Sequence, residues 1–234
     1  MTDSIDRDGV QRLVRQERAQ LVEVLPRPEY EWAHLPGAVN LPLKQLSAET
    51  ATTLDRSRPV VVYCHDTECD LSPRAAVRLR RLGFPAVYDY VAGKIDWLSH
   101  GLPHGGEALL VGDVIARDAA TCRLDERLAD IRRRLDEPDL CVVLDGGVVQ
   151  GALRGEALAH APGRATAEQA MTLGPTTVRP SEEIEVLTAR MRDRHVNAIP
   201  VTTSEGRLLG VLLREAAETA LTRHRQATAQ PVGA

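Results

Sequence analysis

The run Val60-Val61-Val62-Tyr63, closed by Cys64, constrains the fold more than any other stretch of this chain. Three consecutive β-branched residues and an aromatic favour a strand, and the run offers no polar face to water, so the strand is buried on both sides. A polar loop, 65–71, follows. Ser72-Pro73-Arg74-Ala75-Ala76 then reads as a helix start, with Ser72 as the expected cap and Pro73 suited to the first helical position. Strands are also expected at 21–25 and 86–90, with a tight turn feeding a short strand over 34–42. Helices are expected at 8–16, at 73–82 with Gly83 as its stop, and at 94–99. Strands alternating with helices predict a parallel sheet covered on both faces.

Cys64 sits on this strand–loop–helix hinge. A thiol there is expected to face loop amides and the positive end of a helix, both of which stabilise a thiolate or a persulfide anion. The active loop is read as His65, Asp66, Thr67, Glu68, Cys69, Asp70, Leu71 and Ser72, with Cys64 as nucleophile. Three loop carboxylates disfavour a dianionic donor such as thiosulfate and raise a neighbouring thiol pKa, so a persulfide donor, a small thiol or a protein partner fits better. Cys69 is a candidate resolving thiol: it can attack a Cys64 persulfide, releasing sulfide and leaving a disulfide. Phosphatase or arsenate reductase chemistry needs an arginine closing the loop around an oxyanion. This loop closes with Asp70, Leu71 and Ser72, and Arg74 falls inside the helix.

Residues 104–109, rich in glycine and flanked by Pro103, read as a linker. Beyond it the chain repeats itself. Residues 113–158 and 169–217 share one layout: an apolar turn, a β-like stretch ending in arginine (Thr121-Cys122-Arg123; Thr177-Val178-Arg179), an amphipathic helix (Leu128, Ile131, Leu135; Ile184, Leu187, Met191), a hairpin and a short helix. Asp125 and Ser181 are the expected helix caps. One such unit cannot cover its own sheet face, so two are expected to pack together. The tail, 224–234, is expected to be disordered.

The 234 residues accommodate two domains. The net charge of −4 excludes the basic footprint of a nucleic-acid binder, and Arg78, Arg80, Arg81 and Arg132, Arg133, Arg134 read as solvated helix faces. No apolar run is long enough to span a membrane and the polar start lacks a signal-peptide core, so a cytoplasmic protein is expected. Four cysteines there are neither a disulfide framework nor spaced for zinc, and no metal is expected. Cys122, Cys141 and His34 read as structural residues.

The first segment resembles the rhodanese-like domain. The resemblance is carried by Val22-Glu23-Val24, Glu29-Tyr30, the turn from His34-Leu35-Pro36-Gly37 to Asn40-Leu41-Pro42, Val62-Tyr63-Cys64, Ala75-Ala76, Leu82-Gly83 and Gly93, Trp97, Gly101, Pro103. It implies a central parallel sheet and a cysteine, here Cys64, that passes a persulfide from a sulfur donor to a thiophilic acceptor. Two departures stand out: Leu25 replaces a usual arginine, and the active loop is about two residues longer. The repeat resembles a tandem pair of CBS domains (named for cystathionine beta-synthase), through Gly151-Ala152-Leu153-Arg154-Gly155-Glu156, Ile199-Pro200-Val201 and Gly206-Arg207-Leu208-Leu209-Gly210-Val211-Leu212. That resemblance implies an adenosine-nucleotide site at Thr121, Arg154, Glu156, Thr177, Arg214 and Glu215, and a homodimer formed through the pair.

The expected fold is therefore an α/β, parallel-sheet rhodanese-like domain (5–103), the linker (104–109) and an α+β CBS-pair module (110–163 and 164–223). Two functions are compatible with it. One is a sulfurtransferase carrying a persulfide on Cys64, needing no cofactor and regulated or dimerised by the CBS pair. The other is a non-catalytic sensor or adaptor that binds a partner and an effector.

Overall fold

The computed structural model describes residues 3–135 and 140–229, without the side chains of Glu156 and Ala229. It divides into two compact units, Met1–Ala108 and Leu109–Ala234.

In the first unit β1 (Asp3–Ser4), β2 (Gln20–Glu23), β3 (Val39–Asn40), β4 (Val60–Tyr63) and β5 (Val87–Tyr90) form one five-stranded sheet in the order β1-β5-β4-β2-β3, with every neighbouring pair parallel. β4 lies at the centre and all four of its residues are buried, as its unbroken apolar run requires. Between the strands run α1 (Arg7–Glu17), α2 (Arg27–Trp32) and α3 (Leu71–Arg81), and α4 (Gly93–Ser99) follows β5.

Side chains alternate across the sheet. Val60, Val62, Cys64 and Val87 share one face, where α3 lays Ala75, Ala76 and Leu79 against them. Tyr63 and Tyr90 point to the other face. There the Tyr90 hydroxyl donates to Asp96 of α4 at 2.6 Å, and Arg7 of α1 pairs with the same carboxylate at 2.9 Å. That second face also holds a buried ion pair. The Lys94 ammonium lies 3.0 Å from Glu23 Oε1, both side chains fully enclosed, and also donates to the carbonyls of Glu29 and Ala33.

The start of α3 differs from expectation. Its cap position is Asp70, with no side-chain cap bond, two residues before the expected cap, so Ser72 is the second residue of the helix and buried. Pro73 still falls in the first turn, where its missing N–H is harmless. The Ser72 hydroxyl is not spent on a cap because the Cys64 sulfur lies against it. Gly83, at φ +90°, ends the helix as expected.

The second unit has a four-stranded sheet of β6 (Thr121–Arg123), β7 (Leu140–Asp145), β8 (Val148–Arg154) and β9 (Thr172–Leu173), in that order, and a separate hairpin of β10 (Ala198–Thr202) and β11 (Leu208–Leu213). α5 (Leu128–Arg134), α6 (Gly155–His160), α7 (Ala167–Ala170), α8 (Ile184–Asp193) and α9 (Arg214–Ala229) complete it. Both hairpins fall where the turn residues put them. The two expected helix caps do not: the cap positions of α5 and α8 are Arg127 and Glu183. Asp125 instead binds the Arg123 guanidinium. The repeat carries a different shared device. Glu126 accepts the Arg123 N–H at 3.3 Å, and Glu182 accepts the Arg179 N–H at 2.8 Å, so each strand-to-helix turn is closed by a glutamate three residues past the arginine.

The two repeats share apolar surface as expected: Leu140, Val142 and Ala152 of one form a cluster with Ala198 and Val211 of the other. Of the expected linker, Gly105, Glu107 and Ala108 hydrogen-bond the main chain of residues 31–34. Of the expected tail, residues 224–229 continue α9 instead, and 230–234 lie outside the described residues.

Candidate active site

Cys64 follows the last residue of β4 at the carboxyl edge of the parallel sheet, where open α/β folds place their reactive groups. The loop it opens is anchored from below by α4: the N–H of Lys94 donates to Cys64 O at 3.0 Å, and that of Ile95 to His65 O at 3.0 Å. This approach demands glycine at 93, which sits at φ +66°; a Cβ there would lie 2.5 Å from His65 O and 2.7 Å from Cys64 O.

The side chain of Cys64 is enclosed among Val62, Ala75, Ala76 and their neighbours. Sγ lies 3.3 Å from the carbonyl oxygen of Cys69, 4.0 Å from that of Asp66 and 3.3 Å from Ser72 Oγ. The expected ring of loop amides is therefore not what surrounds the sulfur. Two carbonyls face it, which suit a thiol as donor and repel a thiolate. The thiol pKa is pushed up to about 11, first by burial and then by the Cys69 thiol against it. Only the hydroxyl and the N–H of Ser72 act the other way. The thiol, not the thiolate, is therefore the form this enclosure favours.

The loop acids stand away from this sulfur. Glu68 and Asp70 are exposed and Asp66 half-buried; Asp70 pairs with Arg74 at 3.3 Å, and Asp66 takes the N–H of Glu68. None is among the leading causes of the raised thiol pKa, so the expectation that loop carboxylates act on the nucleophile is corrected. His65 stands 4.0 Å from Asp66, Thr67 is exposed, and Leu71 packs its side chain on the core that holds Cys64. Leu71 also lines a groove of about 820 Å³ with Leu43, Pro42 and Arg74.

Sequence reasoning missed Asp89. It lies in β5 opposite Val62, on the apolar face with Cys64 and Val87, and only 2% of it is exposed. Burial raises its pKa. Its Oδ1 has no partner. The signal was present: in Val87-Tyr88-Asp89-Tyr90 the period of two puts a carboxyl where the core asks for an apolar side chain.

The residues expected to hold a nucleotide in the second unit are not all brought together. Arg154 lines a cleft of about 620 Å³ with Thr172, Thr176, Arg190, Arg194, His195 and Asn197. Thr121, Thr177, Arg214 and Glu215 are not part of that lining. The Thr121 carbonyl accepts from Arg134, and Thr177 Oγ1 from Arg179. Arg214 binds Asn197 Oδ1 at 2.9 Å, Glu215 is exposed, and the side chain of Glu156 lies outside the described residues. Cys122 and Cys141 are buried together in the core of the first repeat, in keeping with their structural reading. Among the described residues no helix is long and apolar enough to cross a membrane.

A five-stranded parallel sheet with a buried cysteine directly after its central strand defines an α/β domain. Comparison with known families makes this specific: residues 6–100 match the Rhodanese-like domain and residues 167–224 the CBS domain, so the chain carries a rhodanese-like domain followed by a CBS region. It is 35% identical over 101 residues to the HTH-type transcriptional regulator Rv0324 of Mycobacterium tuberculosis, covering 43% of this chain and 44% of that protein. It is 31% identical over 87 residues to the candidate sulfur carrier protein YrkF of Bacillus subtilis, covering 37% and 45%. The chain thus spans about half the length of these curated relatives. Among solved structures, that of CBSX2 in complex with AMP matches at 19% identity with a TM-score of 0.45, covering 50% of this chain and 98% of that one.

Proposed function

We propose that this protein is a sulfurtransferase that carries a persulfide on Cys64. The observation that carries this reading is the position of that sulfur: it follows the central strand of the rhodanese-like sheet, 3.3 Å from the carbonyl oxygen of Cys69, whose side chain packs on the same core. Cys64 takes the sulfane sulfur of a donor persulfide and passes it to a thiophilic acceptor. Cys69 ends the cycle when no acceptor arrives. It attacks the inner sulfur of the persulfide, the S–S bond breaks, hydrosulfide leaves, and a Cys64–Cys69 disulfide remains. Because Cys64 is enclosed, loading requires the 65–72 loop to open.

Incubation with a low-molecular-weight persulfide is expected to add one sulfur, 32 Da, to the wild-type intact mass, and none to Cys64→Ser. Cys69→Ser is expected to hold its persulfide longer and to form no internal disulfide. No mass gain on the wild type with any persulfide donor would overturn the reading.

The enclosure of Cys64 and its raised pKa favour a second reading, a non-catalytic partner-binding domain. That same mass experiment separates the two, since an adaptor takes up no sulfur.

For the CBS region we propose a regulatory adenosine-nucleotide site in the cleft at Arg154, whose other hydrogen-bond donors, Arg190, Arg194 and His195, suit a phosphate chain. A nucleotide at one hundred times its Kd is expected to raise the melting temperature of this unit by roughly 10 °C. AMP, ATP and S-adenosylmethionine are the ligands to compare in differential scanning, and Arg154→Ala should lose the shift. No stabilisation by any of the three would leave the region as an interaction module. Homodimerisation through this region is proposed as well. Val186 of α8 and Leu213 of β11 expose apolar side chains suited to such a contact; a monomeric mass in sedimentation equilibrium would reject it.

A further inference from the structure

We propose that the groove along α3 binds the sulfur donor, and that the donor is a small persulfide on an anionic body held by Lys44, Arg78 and Arg81. This rests on the reading of Cys64 as the sulfur-accepting residue and names the class of molecule that delivers the sulfur.

The groove is built from three segments of the first unit: the loop after β2 with the start of α2, the turn at 43–45, and the outer face of α3. Its volume of about 820 Å³ falls in the range of small-molecule sites, roughly 300–1,000 Å³. Five cations line it and no carboxylate does. Arg27 is paired with Glu31, and Arg74 with Asp70. Among the described residues Lys44, Arg78 and Arg81 have no ion pair. α3 sets Arg74, Arg78 and Arg81 at i, i+4 and i+7 on one side, spacings at which like charges repel. The helix dipole favours arginine in the last turn, but it asks nothing of Lys44, which comes from another segment. Arg80 shows the alternative open to an arginine of this helix: it is turned to Asp3 and the Val87 carbonyl. Three unmatched positive charges on one groove are a site for an anion.

The apolar lining ties the groove to Cys64. Leu43 and Leu71 line it and also pack on the core cluster that contains Cys64. Leu71 belongs to the loop that opens for loading, so its movement joins the head of the groove to the sulfur. From Leu71 to Arg81 the helix runs about 15 Å, a span for an extended molecule rather than a compact ion. A donor with its persulfide at Leu71 and its carboxylates or phosphates at Arg78 and Arg81 fits both ends, since a guanidinium takes either oxyanion through paired hydrogen bonds. Val77, 44% exposed between the arginines, supplies an apolar contact for the stem.

The transfer balances without a further reactant. Cys64 gives its proton to solvent and attacks the outer sulfur of the donor R–S–SH. A new Cys64 S–S bond forms as the donor S–S bond breaks, and the departing RS⁻ takes a proton from solvent. Cys–SH and R–S–SH become Cys–S–SH and R–SH.

The test separates binding from transfer in the full chain. Cys64→Ser cannot accept sulfur, so calorimetric titration of it with glutathione (a carboxylate body) and with coenzyme A (a phosphate body) reads the groove alone. At least one of the two is expected to bind, more weakly as salt is added. Adding Arg78→Gln and Arg81→Gln together should weaken that binding at least tenfold, and Lys44→Gln severalfold, while Arg12→Gln on the exposed face of α1 should leave it unchanged. All four positions are exposed, so melting temperatures should hold. With Cys64 present, loading read by intact mass should show a KM at least tenfold lower for the persulfide of the thiol that binds than for cysteamine persulfide, whose body is cationic. The double arginine variant should raise the lower KM and move kcat little, a split that a damaged fold would not give. No binding of either thiol, whether or not an acidic peptide binds in its place, would overturn the proposal. Loading that is equal from anionic and cationic donors and indifferent to the groove variants would overturn it while leaving the sulfurtransferase reading intact. Binding in the groove with no sulfur gained by the wild type from any donor would overturn both.

Discussion

Replacing Lys94 by methionine is expected to destabilise the first unit by about 3–5 kcal/mol. The ammonium is fully enclosed, 3.0 Å from Glu23 and hydrogen-bonded to the carbonyls of Glu29 and Ala33. Its removal strands a buried carboxylate whose Oε2 already lacks a partner, and it leaves two carbonyls unsatisfied. Burial raises the Glu23 pKa even with Lys94 present. The sign follows: a carboxyl with a raised folded-state pKa favours the fold at acid pH and loses that contribution as pH rises through the raised value. The loss in Lys94→Met should therefore be larger at pH 8 than at pH 5, as measured by urea denaturation. Glu23→Leu combined with Lys94→Met should recover most of it, because a well-packed apolar pair has no charge to desolvate. A single-variant loss below about 1 kcal/mol would show that the ion pair is not what holds this face together.

Gly93→Ala comes next. The residue sits at φ +66° with its Cα against the carbonyls of Cys64 and His65, and an added methyl would lie 2.5 Å from His65 O. A left-handed alanine costs about 1–2 kcal/mol and overpacking against main chain about 1–3 more, so a loss of roughly 2–5 kcal/mol is expected. The functional consequence is more telling. The N–H groups of Lys94 and Ile95 hold the base of the active loop, so pushing α4 away releases both carbonyls and lets the Cys64 loop shift. Sulfur loading should fall even at temperatures where the variant remains folded. Unchanged melting and unchanged loading together would show that this approach of helix to loop is not required.

Much of the architecture was legible because it is written locally. The β4 run has no polar face, so it could only be a central, doubly covered strand. Asp145-Gly146-Gly147 and Ser204-Glu205-Gly206 carry their own turn chemistry, so both hairpins of the repeat fell into place. Helix caps were less legible. Asp125, Ser181 and Ser72 are all good cap residues by type, yet other contacts took them: Asp125 turned to Arg123, and Ser72 to a sulfur. Side chains that can serve two partners are assigned by whichever partner the tertiary structure brings near.

Residue order alone determined which segments become strands and helices, that the chain repeats in its second half, and that Cys64 ends the central strand. The tertiary structure decided the state of that sulfur. Protonation depends on every dipole and charge within a few ångströms, and here those come from the way the loop and the next helix close over the strand end: the carbonyls of Asp66 and Cys69 and the hydroxyl of Ser72. The Glu23–Lys94 pair, 71 residues apart, belongs to the same class. Periodicity reports which face a residue takes, but whether a buried charge is paired or orphaned is settled only when distant strands and helices close around it.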